Sequence, residues 1–200
     1  MALAIGASVL AAAFYCDAAV REWIVLHRTR GGSAFMGAVS RYGDWPSHIL
    51  LGVALAGVAY AKGSKRLLRI FVAMILACAV AGAAARVIKV SVGRARPTVR
   101  AEAGWNGPRW SSKYNAFPSG HTASSTAFFG VLVFARWRAG AALCAVPLLI
   151  ALSRMYVGAH HLSDVTGAAL LGLLTAWLIS RLLARGERVG GQTIDRTATS

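Results

Sequence analysis

The chain has 200 residues, enough for one domain. Hydrophobic residues make up 56% and charged residues only 14%, against roughly 25% charged in soluble globular chains, so a soluble domain is excluded. A net charge of +15 would elsewhere suggest nucleic acid, but long apolar blocks assign it to a membrane setting, and no nucleic-acid partner is expected.

A spanning helix needs about 20 mostly apolar residues. Six segments qualify in chain order: 2–20, 46–62, 67–90, 118–136, 139–158 and 162–184. The first lacks a basic leader and reads as a retained helix rather than a signal peptide. Residues 21–45 mix Trp23, Phe35 and Trp45 with Arg21, Arg28, Arg30 and Arg41, a composition suited to the bilayer interface. Ala77, Ala81 and Ala85 recur every four positions, as do Ala168 and Gly172, a spacing that lets helices approach closely in lipid. From 185 onward the chain is polar and is expected to be disordered. The predicted fold is therefore all-α: an integral membrane bundle of about six transmembrane helices. It forms a single domain, 1–184, followed by the tail 185–200.

Cys16, Cys78 and Cys144 lie in apolar runs without metal-like spacing and read as buried packing residues. The seven acidic residues are scattered, so no carboxylate cluster is available for a two-metal site. Three short blocks stand out instead. The first is Lys89 with Arg96-Pro97. The second is Pro118-Ser119-Gly120-His121. The third is Ser153-Arg154 followed by His160 and Asp164. Two arginine forks and a lysine suit the oxygens of a phosphate. Ser119 and Gly120 read as a helix start, where free backbone N–H groups bind oxyanions. His160 and Asp164, four apart, share a helical face; the carboxylate would hold one ring nitrogen and leave the other free for attack. Ser119, His121 and Asp164 do not form a serine-hydrolase triad, because no nucleophile elbow is present. His27, His48 and His161 receive no role.

Up-and-down threading of six helices brings all three blocks to one membrane face. The opposite face carries Lys62, Lys65, Arg66 and Arg69 in one turn, Arg136 and Arg138 in another, and Arg181, Arg185 and Arg188 near the end. The positive-inside rule makes that face cytoplasmic. The site face is then periplasmic or extracytoplasmic, and the expected location is the bacterial cytoplasmic (inner) membrane.

The three blocks, written K-x6-RP, PSGH and SR-x5-H-x3-D, resemble the signature of the type 2 phosphatidic acid phosphatase (lipid phosphate phosphatase) superfamily. The resemblance covers roughly residues 67–184, with the signature itself at 89–164, and vanadium haloperoxidases share it. It implies a membrane lipid phosphatase with His160 as the nucleophile that forms a phosphohistidine. His121 would be the general acid, and Asp164 the carboxylate behind His160. Lys89, Arg96, Ser119, Gly120 and Arg154 would hold the phosphate, with Ser153 in support. No metal or other cofactor is implied. The substrate would be a lipid phosphate in the bilayer, such as polyprenyl diphosphate, phosphatidate, phosphatidylglycerophosphate or lipid A. The loop 98–117 is expected to close over the head group through Arg100, Trp105, Arg109, Trp110 and Lys113. A lipid phosphotransferase using the same site is the alternative, and a non-catalytic lipid binder or transporter is a further one. The oligomeric state is not assigned.

Overall fold

The computed structural model describes residues 1–99 and 104–198, without the side chains of Ala2 and of 185–198. Eight helices run in order through the described chain: α1 (Ala2–Leu26), α2 (Arg30–Tyr42), α3 (Trp45–Ala61), α4 (Lys65–Val92), α5 (Gly120–Ala135), α6 (Trp137–Leu143), α7 (Ala145–Tyr156) and α8 (Leu162–Ala198). A single 3₁₀ turn, Ser112–Tyr114, lies in the long loop before α5. Four stretches are long and apolar enough to cross a membrane: Leu3–Leu26, Lys65–Val92, Trp137–Tyr156 and Leu162–Ala184. Trp45–Ala61 is a shorter apolar helix. All six segments expected from the sequence are thus helical. The protein is an all-helical membrane bundle, although not every helix has full spanning length.

The shortest of the six is also the most enclosed. α5 has 16 residues, about 24 Å of helix against the roughly 30 Å of a hydrocarbon core. It lies between α4 and α8 with Thr122 through Leu132 all buried. Small residues make this approach possible. Ala77, Ala81 and Ala85 on α4 and Ala168 on α8 are completely covered. A β-carbon at Gly172 would come within 2.7 Å of the Ala123 carbonyl oxygen, so the α5–α8 contact is backbone against backbone. Lipid tails compete with any apolar side chain, so close van der Waals packing of this kind is what holds membrane helices together.

The fifth predicted segment is broken at Cys144 into α6 and α7. Pro147 explains the break, since its ring occupies the space of the carbonyl four residues earlier and it offers no N–H. The expected interfacial stretch 21–45 divides into three parts. Trp23 belongs to α1, Phe35 to the amphipathic α2, and Trp45 to the first turn of α3; all three rings are exposed. α2 packs on α7. The backbone of α8 continues as helix to Ala198. Extending a helix already nucleated in the bundle costs far less than starting one.

Candidate active site

Each of the three sequence blocks sits at the same end of the bundle, at a helix terminus. Lys89 lies in the last turn of α4, which is closed by Gly93 in the left-handed region, φ 58°. A β-carbon at Gly93 would overlap the Gly107 carbonyl oxygen at 1.9 Å, so only glycine permits this turn. The turn directs Arg94, Ala95 and Arg96 across the top of the bundle. Backbone bonds from Ala95 N–H to the Gly104 carbonyl and from Arg96 N–H to the Lys113 carbonyl, both 2.9 Å, fix the strand-like stretch.

Ser119 caps α5, its hydroxyl accepting from the Thr122 N–H at 3.5 Å and from the Thr122 hydroxyl at 3.1 Å. Pro118 precedes the cap rather than lying in the first turn. The Ser119 N–H donates to the Asp164 backbone carbonyl at 3.1 Å, tying the start of α5 to the start of α8. Gly120 opens α5, and a β-carbon there would lie 3.7 Å from the Lys89 ammonium. Glycine keeps that approach clear and leaves the first free N–H groups of α5 facing the same space.

Arg154 lies in the last turn of α7. Its carbonyl accepts from the N–H of Ala159 at 3.0 Å and of His160 at 3.2 Å, so the backbone of His160 hangs from Arg154. His160 is therefore in the loop before α8, not on a helical face with Asp164 as the spacing suggested. The contact forms differently. His161 caps α8, and Asp164 at its third position reaches back to accept the His161 N–H at 2.8 Å, half of a capping box. The same Oδ2 lies 3.5 Å from His160 Nδ1, at the outer limit of a hydrogen bond. Burial pushes the His160 imidazole down to about 4, with Asp164 opposing the shift. At neutral pH its ring is uncharged.

The phosphate-binding candidates converge electrostatically. Lys89, Arg96 and Arg154 repel one another, with Asp164 the nearby counter-charge for Lys89 and Arg96. Arg154 donates one terminal N–H to Ser40 of α2. The buried Nε of Arg96 and of Arg154 find no hydrogen-bond partner among the described residues. Three mutually repelling cations, two of them with an unsatisfied buried Nε, form a site that an anion with several oxygens would stabilise. Ser153 is fully buried and donates to the Ile150 carbonyl at 2.7 Å, so its hydroxyl serves α7.

His121 is set apart from this core. Its Nδ1 lies 3.3 Å from a carboxylate oxygen of Asp44, the N-cap of α3. Beside it a cleft of about 400 Å³ runs between α3, α4 and α5. Asp44, Arg86, Lys89 and His121 line its polar end, and Cys78 and Gly82 its apolar end. Cys78 to Lys89 is eleven residues of α4, about 16 Å of depth. An amphiphile with a charged head and an apolar body matches this gradient.

Asp17, Asp44, Ser40 and Arg94 were not recognised in the sequence. Asp17 and Asp44 counted among scattered acids, yet with Asp164 they meet at one end of the bundle. Arg94, two residues before Arg96, carries no motif of its own. It is buried, 2.7 Å from Asp17 and 2.5 Å from Asp164. Removing one member of such a network strands a buried charge, at about 3–5 kcal/mol. Asp17, a carboxylate inside the first apolar segment near the expected site face, was the only signal available. His161 points away from His160 toward the Ala95 carbonyl at 3.3 Å. His48 is buried against Phe128 and Phe129, and His27 stacks on Trp23. In the loop expected to cover the head group, Trp105 packs on Phe14 and Phe117. Arg109 lies over Tyr114, Trp110 is exposed, and Arg100 falls outside the described residues.

Comparison with known proteins identifies the family. Residues 66–188 match the PAP2 superfamily profile. A lipid A 1-phosphatase of Rhizobium johnstonii is 36% identical over 112 residues, 50% of this chain and 44% of that protein. One from Rhizobium etli is 35% identical over 109 residues, 50% of this chain and 46% of that protein. The chain thus matches under half the length of these curated relatives. The crystal structure of a transmembrane PAP2 type phosphatidylglycerolphosphate phosphatase from Bacillus subtilis superposes with a TM-score of 0.69. The match covers 88% of this chain and 92% of that one at 22% identity. Aquifex aeolicus LpxE superposes with a TM-score of 0.59 at 20% identity, over 82% and 94%. At these identities the likeness establishes the fold, while the profile match, covering more than half of the chain, establishes the family. The chain belongs to the PAP2 superfamily.

Proposed function

We propose that the protein is a membrane lipid phosphatase working through a phosphohistidine on His160. The observation that carries this reading is the convergence of Lys89 and Arg154 on both His160 and His121, with Arg96 beside them and the buried Nε of both arginines unsatisfied among the described residues. Nε2 of His160 attacks phosphorus in line, and the bond from phosphorus to the lipid oxygen breaks. His121 gives the departing oxygen its proton. The three cations, the Ser119 hydroxyl and the Gly120 N–H bind the equatorial oxygens, where charge spreads in the transition state. Water then attacks phosphorus, passes a proton to His121, and releases inorganic phosphate and free His160. The neutralising charges belong to the protein, so no metal is assigned to the reaction.

The cleft between α3, α4 and α5 would take the lipid body while the phosphate sits among the cations. Similarity to proteins named lipid A 1-phosphatase places lipid A first among substrates to test. Phosphatidylglycerophosphate, phosphatidate and polyprenyl diphosphate follow. Phosphate release from this panel in detergent micelles is the deciding measurement. Release by the wild type, absent in His160→Ala, is the expected result. No release from any lipid, or phosphate recovered on an acceptor lipid instead of in solution, overturns the hydrolase assignment.

The site is assigned to the extracytoplasmic side of the inner membrane, since the basic Lys62–Arg69 turn lies at the other end of α4. A cysteine at Trp110, in a background without the native cysteines, would react with a membrane-impermeant thiol reagent in intact cells, and a cysteine at Gly63 would not. The reverse pattern places the site in the cytoplasm.

A further inference from the structure

We propose that Arg94 and Asp17 are positioning residues that hold Asp164, and through it His160, by a charge clamp reaching from α1 to α8. This rests on the assignment of His160 as nucleophile. Asp17 lies on α1, outside the matched family region.

The contacts account for every oxygen involved. One terminal N–H group of Arg94 donates to Asp164 Oδ1 at 2.5 Å and to the Ser163 hydroxyl at 2.6 Å. The other donates to Asp17 Oδ2 at 2.7 Å. Asp17 also accepts from the Ser163 N–H at 2.8 Å and from its hydroxyl at 2.5 Å. The guanidinium is held near the faces of Phe14 and Trp105, 5.0 and 5.2 Å from their centroids. Asp164 Oδ2 is left for the His161 N–H and for His160. With Oδ1 pinned, the carboxylate cannot rotate and turn Oδ2 away from the imidazole.

Charge balance gives the clamp its second effect. Arg94 alone would draw the Asp164 charge away from His160. Asp17 offsets Arg94, so the buried trio is minus, plus, minus, and the charge of Asp164 remains available to a forming positive charge on His160. Other charges act on His160 from several elements. They are Lys89 of α4 and Arg154 of α7; Arg96 of the loop after α4 acts on Asp164, and Arg21 and Arg28 line with His160 a small cavity beside α1. None of them contacts Asp164 as Arg94 does.

A mere pin between α1 and α8 would not predict opposite electrostatic responses, and the clamp does. Asp17→Asn keeps the shape, leaves Arg94 uncompensated and should shift the His160 titration to lower pH. Arg94→Gln removes the cation and should shift it to higher pH. Both are read by ¹⁵N NMR of histidine-labelled full-length protein in micelles. In Asp17→Asn, kcat should fall by about 10²-fold with KM unchanged, the scale on which small displacements of a reacting group act. Asp17→Glu should recover part of it. If Arg94→Gln does not fold, Asp17→Asn alone decides. Unmoved His160 titration with wild-type kcat in Asp17→Asn overturns the clamp. A wild type that releases no phosphate from any lipid overturns the phosphatase reading instead, while the NMR shifts still test the clamp.

Discussion

The two histidines of the site live in different surroundings. His160 is 3% exposed, suspended from the Arg154 carbonyl and backed by Asp164, Arg94, Asp17 and Ser163. Its carboxylate is held on both oxygens. The His121 side chain is 22% exposed, opens on the cleft and has a single carboxylate, Asp44, itself 36% exposed. The contrast follows from the tasks assigned to them. A nucleophile must arrive at phosphorus along one line, so rigidity helps it. A proton donor must meet leaving groups attached to a bulky lipid, so it stands where that lipid enters.

If this contrast is right, removing groups on the buried side should cost most. His160→Ala should lower kcat by about 10⁶-fold, the scale of deleting a nucleophile, while the protein still inserts in membranes. Asp164→Asn should cost about 10⁴-fold, as loss of the tautomer-setting carboxylate does elsewhere. Near-normal phosphate release from either variant breaks the comparison at its stronger end.

On the open side the losses should be smaller and depend on the leaving group. His121→Ala should slow lipid phosphate hydrolysis by about 10²–10⁴-fold. It should slow p-nitrophenyl phosphate far less, since nitrophenolate leaves without a proton. Equal losses on both substrates would remove the general-acid role. Asp44→Asn should cost only about tenfold, less than the loss of the general acid itself, because His121 remains in place. Asparagine caps a helix as well as aspartate does, so α3 should keep its stability, and thermal unfolding checks this.

The smallest effect is on stability. With His160 at about 4 in the folded protein and near 6.5 unfolded, the unfolded chain binds more protons between those values. Stability therefore rises with pH across that window and falls on acidification. The melting temperature of the wild type should drop from pH 6.5 toward 4 more than that of His160→Asn. Excess EDTA should leave initial rates unchanged, and a loss restored by added Mg²⁺ or Zn²⁺ would overturn the metal-free assignment.

Legibility in the sequence also differed between the two sides. His160, Asp164, Arg154 and His121 lie in short blocks, where a few residues of spacing carry the chemistry. Asp44 and Asp17 lie 77 and 143 positions before the histidines they serve, and only chain folding brings them near. The contact of His160 with Asp164 was anticipated, but its means was not. A spacing of four is satisfied equally by one helical face and by a loop folded onto a capped first turn.

The sequence by itself determined the class of this protein. Apolar run length set the helices, small-residue spacing set which faces pack closely, and three motif blocks at helix ends set the anionic chemistry. Those properties are local, so they can be read without coordinates. Tertiary structure alone decided that α5 is enclosed and that Arg94 is a buried bridge rather than a surface cation. It alone joined Asp17 to Asp164 and Asp44 to His121. The charge contacts required chain folding, because a buried charge is tolerable only where distant residues supply the opposite one.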